Sequence, residues 1–215
     1  MSKELILEKI INCGAAAVIR MKEPDKLLKV VEAIYSGGLS IIEITMTVPN
    51  ALKVIESVVK EVNDDVVVGV GSVINKEMTQ NAIDAGAQFV VSPILKKEII
   101  ETGHQNGLPV FPGAFTPTEI QTAYEWGADI VKVFPADVVG MKYFKSIKAP
   151  LPHLKLMPTG GVTLTNAGEW LLHGAEAVGI GSALLDSDAI KNENYAKLKS
   201  NAEILMSSIG EACSK

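Results

Sequence analysis

Lys132 interrupts an apolar run, Ile130, Val131, Val133 and Phe134, that reads as a short buried strand. A buried ammonium is costly unless it is paired, neutralised or used. The plain alternative is a strand residue whose stem lies along apolar surface while its head reaches water. Glu43 is in the same position, inside the run "IIEIT" (41–45). A desolvated amine beside another cation sheds its proton more readily, and the neutral amine attacks carbonyl carbons. Arg20 closes the run "AAAVIR" (15–20) and is a candidate for that second cation, or for a bidentate grip on a substrate carboxylate. A glutamate in reach would move the protons that carbinolamine formation, dehydration and carbon–carbon cleavage require. The competing reading is a structural Lys132–Glu43 or Arg20–Glu43 ion pair, although such pairs stabilise little against apolar residues of equal volume.

A second constellation lies in "MPTGGV" (157–162) and "GIGSAL" (179–184). Glycines at strand ends expose backbone N–H groups, and a following helix N-terminus adds positive potential, so paired loops of this kind suit phosphate. Thr159, Gly160, Gly161, Gly181 and Ser182 are the candidates. Each motif alone is only a tight turn; the two together, on consecutive strands, are more specific. Ser72 ends "GVGS" (69–72) and would offer a hydrogen bond, but no histidine is placed to make it a nucleophile. His104, His153 and His173 form no metal-ligand spacing, which argues against a protein-bound metal. Trp126 and Trp170 fall in helical runs and read as packing residues.

These residues need a scaffold. Eight β-branched runs begin near residues 15, 41, 66, 89, 109, 130, 155 and 177, with helical patterns between them. Their continuous hydrophobicity implies burial on both faces, as in parallel sheets. Eight such alternations in 215 residues predict an α/β fold, a (β/α)8 barrel, with residues 1–13 as an extra N-terminal helix packed on one domain. A doubly wound open sheet is the alternative, but no GxGxxG follows the first strand and no GxxxxGK[ST] occurs.

A weak repeat orients the candidates. Segments starting at Gly38, Gly86, Gly127 and Gly174 lead into strands two, four, six and eight, at spacings of 48, 41 and 47 residues. Aligned on these glycines, Glu43, Val91, Lys132 and Gly179 share one position, and Thr45, Pro93, Phe134 and Gly181 lie on the same face two residues on. Two long charged side chains fit poorly between strands and helices, so this face is predicted to line the barrel interior near its C-terminal mouth, with Thr45 a candidate substrate contact there.

Hydrophobic residues make up 47% and charged residues 21%, and the net charge of −5 supplies no basic face for nucleic acid. No apolar stretch nears the roughly 20 residues that span a bilayer. The N-terminus lacks an uninterrupted apolar core of signal-peptide type, and Cys13 and Cys213 have no CxxC spacing. A cytoplasmic protein with reduced cysteines is expected.

The blocks "IIEITMTVPNA", "GVGSVINKEM", "FVVSP", "FPGAFTPTE", "VKVFPAD" and "PTGGV…GIGSAL" resemble, in order from Arg20 to Leu184, the 2-keto-3-deoxy-6-phosphogluconate (KDPG) / 4-hydroxy-2-oxoglutarate (KHG) aldolase family. The resemblance implies a class I aldolase on a (β/α)8 barrel, homotrimeric, acting on small keto acids or sugar-acid phosphates without metal or cofactor. It assigns the Schiff-base lysine to Lys132 and the catalytic glutamate to Glu43. It places pyruvate contacts at Ser72, Pro93 and Phe134, and phosphate contacts at Gly160, Gly161 and Ser182. Thr47 stands where some members carry arginine, while Arg20 matches members with an arginine ending strand one; Arg20 is expected to take over the carboxylate-binding role. The galactonate-derived phosphate is an alternative substrate. A sugar-phosphate epimerase or isomerase, or a non-catalytic anion-binding barrel, are the rival readings.

Overall fold

The computed structural model describes residues 1–214. Its parallel strands are β1 (Ala15–Ile19), β2 (Ile41–Thr45), β3 (Val67–Gly71), β4 (Val90–Val91), β5 (Val110–Phe111), β6 (Gly113–Ala114), β7 (Val131–Val133), β8 (Leu156–Pro158) and β9 (Val178–Ile180). One ladder runs β5-β4-β3-β2-β1-β9 and another β6-β7-β8. A bridge between Thr159 and Gly179 joins β8 to β9, and only Pro112 separates β5 from β6. The two ladders therefore form one ring of eight strands, the fifth in two pieces.

Pro112 accounts for that break, because it has no N–H to give to a ladder. Its carbonyl is still used: it accepts the backbone N–H of Lys132 at 3.0 Å. The expected unbroken fifth strand over 109–114 is thus two short segments that still steer the strand carrying Lys132.

Side chains alternate cleanly between two cores. Ala17, Ile19, Ile42, Ile44, Val68 and Val70 face outward and pack with helical residues such as Leu27, Val30, Ile34 and Ile55. Ala16, Ile41, Val67, Phe89, Phe111, Ile130, Met157 and Ala177 point inward and fill the lower barrel. This two-sided burial explains why the strands read as continuous apolar runs.

Helix α1 (Lys3–Cys13) closes the floor of the barrel. The Ser2 hydroxyl accepts the N–H of Leu5 at 3.3 Å, and Gly14 ends the helix in the left-handed region at φ 74°. Ile6 and Ile10, one turn apart, are fully buried in the inner core. Burial of two such side chains is worth about 1.5–3 kcal/mol each. A half-buried carboxylate tethers the helix further. Asp129, just before β7, pairs with Lys3 Nζ at 2.8 Å and accepts from His104 Nε2 and from the Val110 N–H, both at 2.9 Å.

The remaining helices surround the ring: α2 (Leu27–Ser36), α3 (Ala51–Glu61), α4 (Lys76–Asp84), α5 (Lys97–Gln105), α6 (Pro117–Glu125), α7 (Ala136–Val139), α8 (Met141–Lys148), α9 (Ala167–Leu172), α10 (Ser187–Lys191) and α11 (Tyr195–Cys213). Trp170 packs edge-on against Phe144 at 5.2 Å, as expected of a packing residue. Trp126 does not behave so: it caps the end of α6 and is 38% exposed. No described helix is long and apolar enough to cross a membrane.

Candidate active site

Glu43 occupies the middle of β2, opposite Val18 of β1 and Gly69 of β3. Lys132 occupies the middle of β7, opposite Gly113 of β6 and Met157 of β8. Both side chains enter the barrel, as the repeat alignment predicts. Lys132 Nζ lies 3.8 Å from Glu43 Oε1, with Lys132 only 4% exposed and Glu43 not at all. That distance is an ion pair but too long for a hydrogen bond. Among the described residues, neither oxygen of Glu43 has a hydrogen-bond partner. A buried carboxylate with both oxygens unmatched is rare and points to a functional role.

Absent side chains make the space. A methyl group on Gly71 would collide with Glu43 Oε1, and one on Gly69 would strike the ring of Phe89. Two successive inward positions of β3 are therefore bare, Gly71 to admit the Glu43 carboxylate and Gly69 to admit the Phe89 ring. Above the pair, the Phe134 ring sits 5.6 Å from Lys132 Nζ, within reach of a cation–π contact. Phe134 is 36% exposed and forms part of the mouth. Ser72 follows Gly71 with a left-handed backbone, φ 61°, and is half-buried. Pro93 is also half-buried, and its carbonyl lies so close to Gly113 that no side chain would fit there.

A cavity of about 360 Å³ opens beside this pair. Val18, Arg20, Phe134, Thr159, Gly160, Gly161, Val162, Gly179, Gly181, Ser182, Leu185 and Ser187 line it. Lys132 and Glu43 are absent from its wall, and Phe134, which borders both, links the two regions. Gly160 and Gly161 adopt φ values of 100° and 73°, and a methyl on either would press within 3 Å of Asp137 at the start of α7. Glycine is thus required twice over. Among the described residues, the N–H groups of Gly160, Gly161, Gly181 and Ser182 donate to no protein acceptor. The Thr159 hydroxyl is buried and also unpartnered. Converging free amides are the ordinary protein device for holding an anion.

The cation in this cavity is Arg20, exposed and without an ion-pair partner among the described residues. No Arg20–Glu43 pair forms; Lys132 takes that place. The expected helix N-termini behind the glycine loops are a correction. Helix α9 begins only at Ala167, and the start of α10 is already capped by Asp186, whose Oδ1 accepts the Ala189 N–H at 2.8 Å. Positive potential here comes from loop amides and Arg20.

Thr45 is a second departure. Its hydroxyl is fully buried and donates to the carbonyl of Ile19 at 3.0 Å, so it is not a free donor at the mouth. His104 bonds to Asp129, His153 stacks on Tyr124 and His173 turns back to its own helix, all away from the cavity. Among the described residues no group of three or more His, Cys, Asp or Glu side chains could hold a metal ion. Val18 and Ser187 went unpredicted. The alternation Ala16, Val18, Arg20 along β1 carried the signal for Val18, whereas Ser187 lies in a loop-to-helix junction with no periodic signal.

A parallel eight-stranded barrel with an amine, a carboxylate and an anion-holding rim at its C-terminal mouth has the build of a barrel enzyme. Residues 6–201 match the family model of KDPG and KHG aldolases, and the chain belongs to that family. It is 34% identical over 169 residues to the 2-dehydro-3-deoxy-6-phosphogalactonate aldolase of Escherichia coli K12, covering 78% of this chain and 82% of the relative. It is 29% identical over 194 residues to the KHG/KDPG aldolase of the same organism, covering 89% and 90%. Among solved structures, the KDPG aldolase of Legionella pneumophila, with pyruvate captured as a covalent carbinolamine intermediate, superposes with a TM-score of 0.86 at 29% identity, covering 93% of this chain and 97% of that one.

Proposed function

We propose that this enzyme is a class I aldolase that cleaves KDPG to pyruvate and glyceraldehyde 3-phosphate, or KHG to pyruvate and glyoxylate. The observation that carries the reading is the buried Lys132–Glu43 pair at 3.8 Å, with neither carboxylate oxygen hydrogen-bonded among the described residues. Family membership supports it.

In the proposed cycle the neutral Lys132 amine attacks the C2 carbonyl, and the carbinolamine loses water to give an iminium. Glu43, through a water molecule, accepts the proton of the C4 hydroxyl. The C3–C4 bond then breaks, its electrons pass to the iminium, and the aldehyde leaves behind an enamine. Return of a proton to C3 and hydrolysis of the imine release pyruvate and restore Lys132. Ser72, Pro93 and Phe134 would hold the keto acid. Thr159 and the amides of Gly160, Gly161, Gly181 and Ser182 would hold the distal phosphate, and Arg20 an anionic group of the substrate. Thr45 would act from behind this layer. The chain's own side chains suffice for each step, with no cofactor called upon. The expected setting is a homotrimer in the cytoplasm.

Borohydride reduction in the presence of pyruvate tests the reading. Mass spectrometry should locate the adduct on Lys132, and Lys132→Met should abolish both adduct and pyruvate release. An adduct on another lysine would overturn the mechanism. A second reading, cleavage of the galactonate-derived phosphate, draws support from the 34% identity to the E. coli enzyme of that name. The ratio of kcat/KM for the two C4 epimers decides between them.

A further inference from the structure

The end of β1 is held by a side-chain relay that touches no part of the open cavity. Thr45 Oγ1 donates to the Ile19 carbonyl at 3.0 Å, and Thr45 Oγ1 and Thr47 Oγ1 lie 2.7 Å apart. The Thr45 proton is committed to the carbonyl, so the short contact has one consistent polarity: Thr47 donates to Thr45. Two hydroxyls in series polarise each other, and the inner one lies wholly out of water. The carbonyl they grip belongs to the residue just before Arg20. Arg20 itself leaves the strand, stands exposed on the cavity wall and makes no ion pair among the described residues. With no described residue gripping its guanidinium, its aim depends on the backbone it springs from.

We infer that Thr45, assisted by Thr47, is a positioning residue: it pins the Ile19 carbonyl and so aims Arg20 at the anionic substrate. This rests on the proposed function in one respect, the assignment of Arg20 to an anionic group of the substrate. The relay acts on binding. Loss of the inner hydroxyl removes no hydrogen bond or ion pair of Lys132 or Glu43, since its partners are the Ile19 carbonyl and Thr47. Thr45→Val keeps the volume and the β-branch while removing the donor.

Steady-state kinetics with KDPG test the inference. Thr45→Val should raise KM about fivefold to tenfold, the scale of one net hydrogen bond, and change kcat less than twofold. Thr45→Ser should restore KM, and the exposed Thr47→Val should show a smaller rise in the same direction. In an Arg20→Gln background, Thr45→Val should add nothing further. An unchanged KM in Thr45→Val, or an effect that persists in full beside Arg20→Gln, overturns the inference. An Arg20→Gln enzyme with normal KM also overturns it while leaving the aldolase reading intact, which stands or falls separately on the Lys132 adduct. Thr47→Val disturbs no core and keeps the test open should Thr45→Val fold poorly.

Discussion

Glu43 is a residue that stability alone gives no reason to keep. Its carboxylate sits in a fully enclosed site, 3.8 Å from the Lys132 amine and, among the described residues, without a hydrogen bond. Such a group would be replaced by an apolar side chain if stability were the only demand. Glu43→Gln should therefore be tolerated in the fold but should lower kcat by about 10²–10⁴-fold, the usual range for a lost general acid/base. Pyruvate should still be trapped on Lys132 in that variant; failure to trap would show that Glu43 is needed to form the imine as well as to break the bond. Placement of Lys132 and Glu43 on the inner face was legible in the sequence because strand periodicity is strict and the glycine-led repeat set the register. The fate of the Thr45 hydroxyl was not legible, since it depends on a partner carbonyl 26 residues away. Arg20 was recognisable as a cation near the mouth, but its place on the wall of the glycine-loop cavity follows from the closing of β9 against β1.

At the scale of elements, the barrel could be read from eight apolar runs, whereas the breaks in them could not. Pro112 stood in plain view, yet a proline in a strand run can mark an edge, a bulge or a first residue. Only the pairing of β5 with β4 and of β6 with β7 identifies it as a joint. The helix ends behind the glycine loops were misjudged for a related reason: their distance from the loop depends on turn lengths that carry no periodic signal. Helix α6 is the opposite case, with a complete capping box written in sequence. Thr116 Oγ1 accepts the N–H of Glu119, and the Glu119 carboxylate accepts the N–H groups of Thr116 and Phe115. Those backbone donors, Thr116 first, hold Glu119 below its ordinary value of 4.5. A carboxylate with a lowered folded-state pKa contributes stability above its unfolded value, and that contribution is lost as pH falls through the folded one. Compared with Glu119→Gln, the wild-type chain should lose stability from about pH 4.5 downward, by less than about 1 kcal/mol because the site is solvent-screened. Denaturant midpoints of the two proteins at pH 7 and pH 3.5 measure this; a constant difference would remove Glu119 from the cap.

For the whole molecule, the fold places every candidate group at one end. Strand β7 starts beside the Asp129 tether at the floor and reaches Lys132 within three residues, so the distance from closed end to the Lys132 amine is one short strand. Exposed apolar residues such as Ile74, Ile94 and Val138, the last 69% exposed, follow the C-terminal ends of β3, β4 and β7. The homotrimer proposed for this enzyme gives such residues a reason to be apolar. Sedimentation equilibrium at micromolar concentration should return three times the chain mass; a monomer would leave these residues unexplained and withdraw the trimer.

The plugged floor also has a practical meaning. Because α1 seals the end opposite the mouth, its first residues are the natural handle for attaching this protein to a bead, an electrode or another chain. A tether there would point every mouth away from the support, whereas trimming the handle past Ile10 would strip the cover from the apolar side chains that fill the lower barrel.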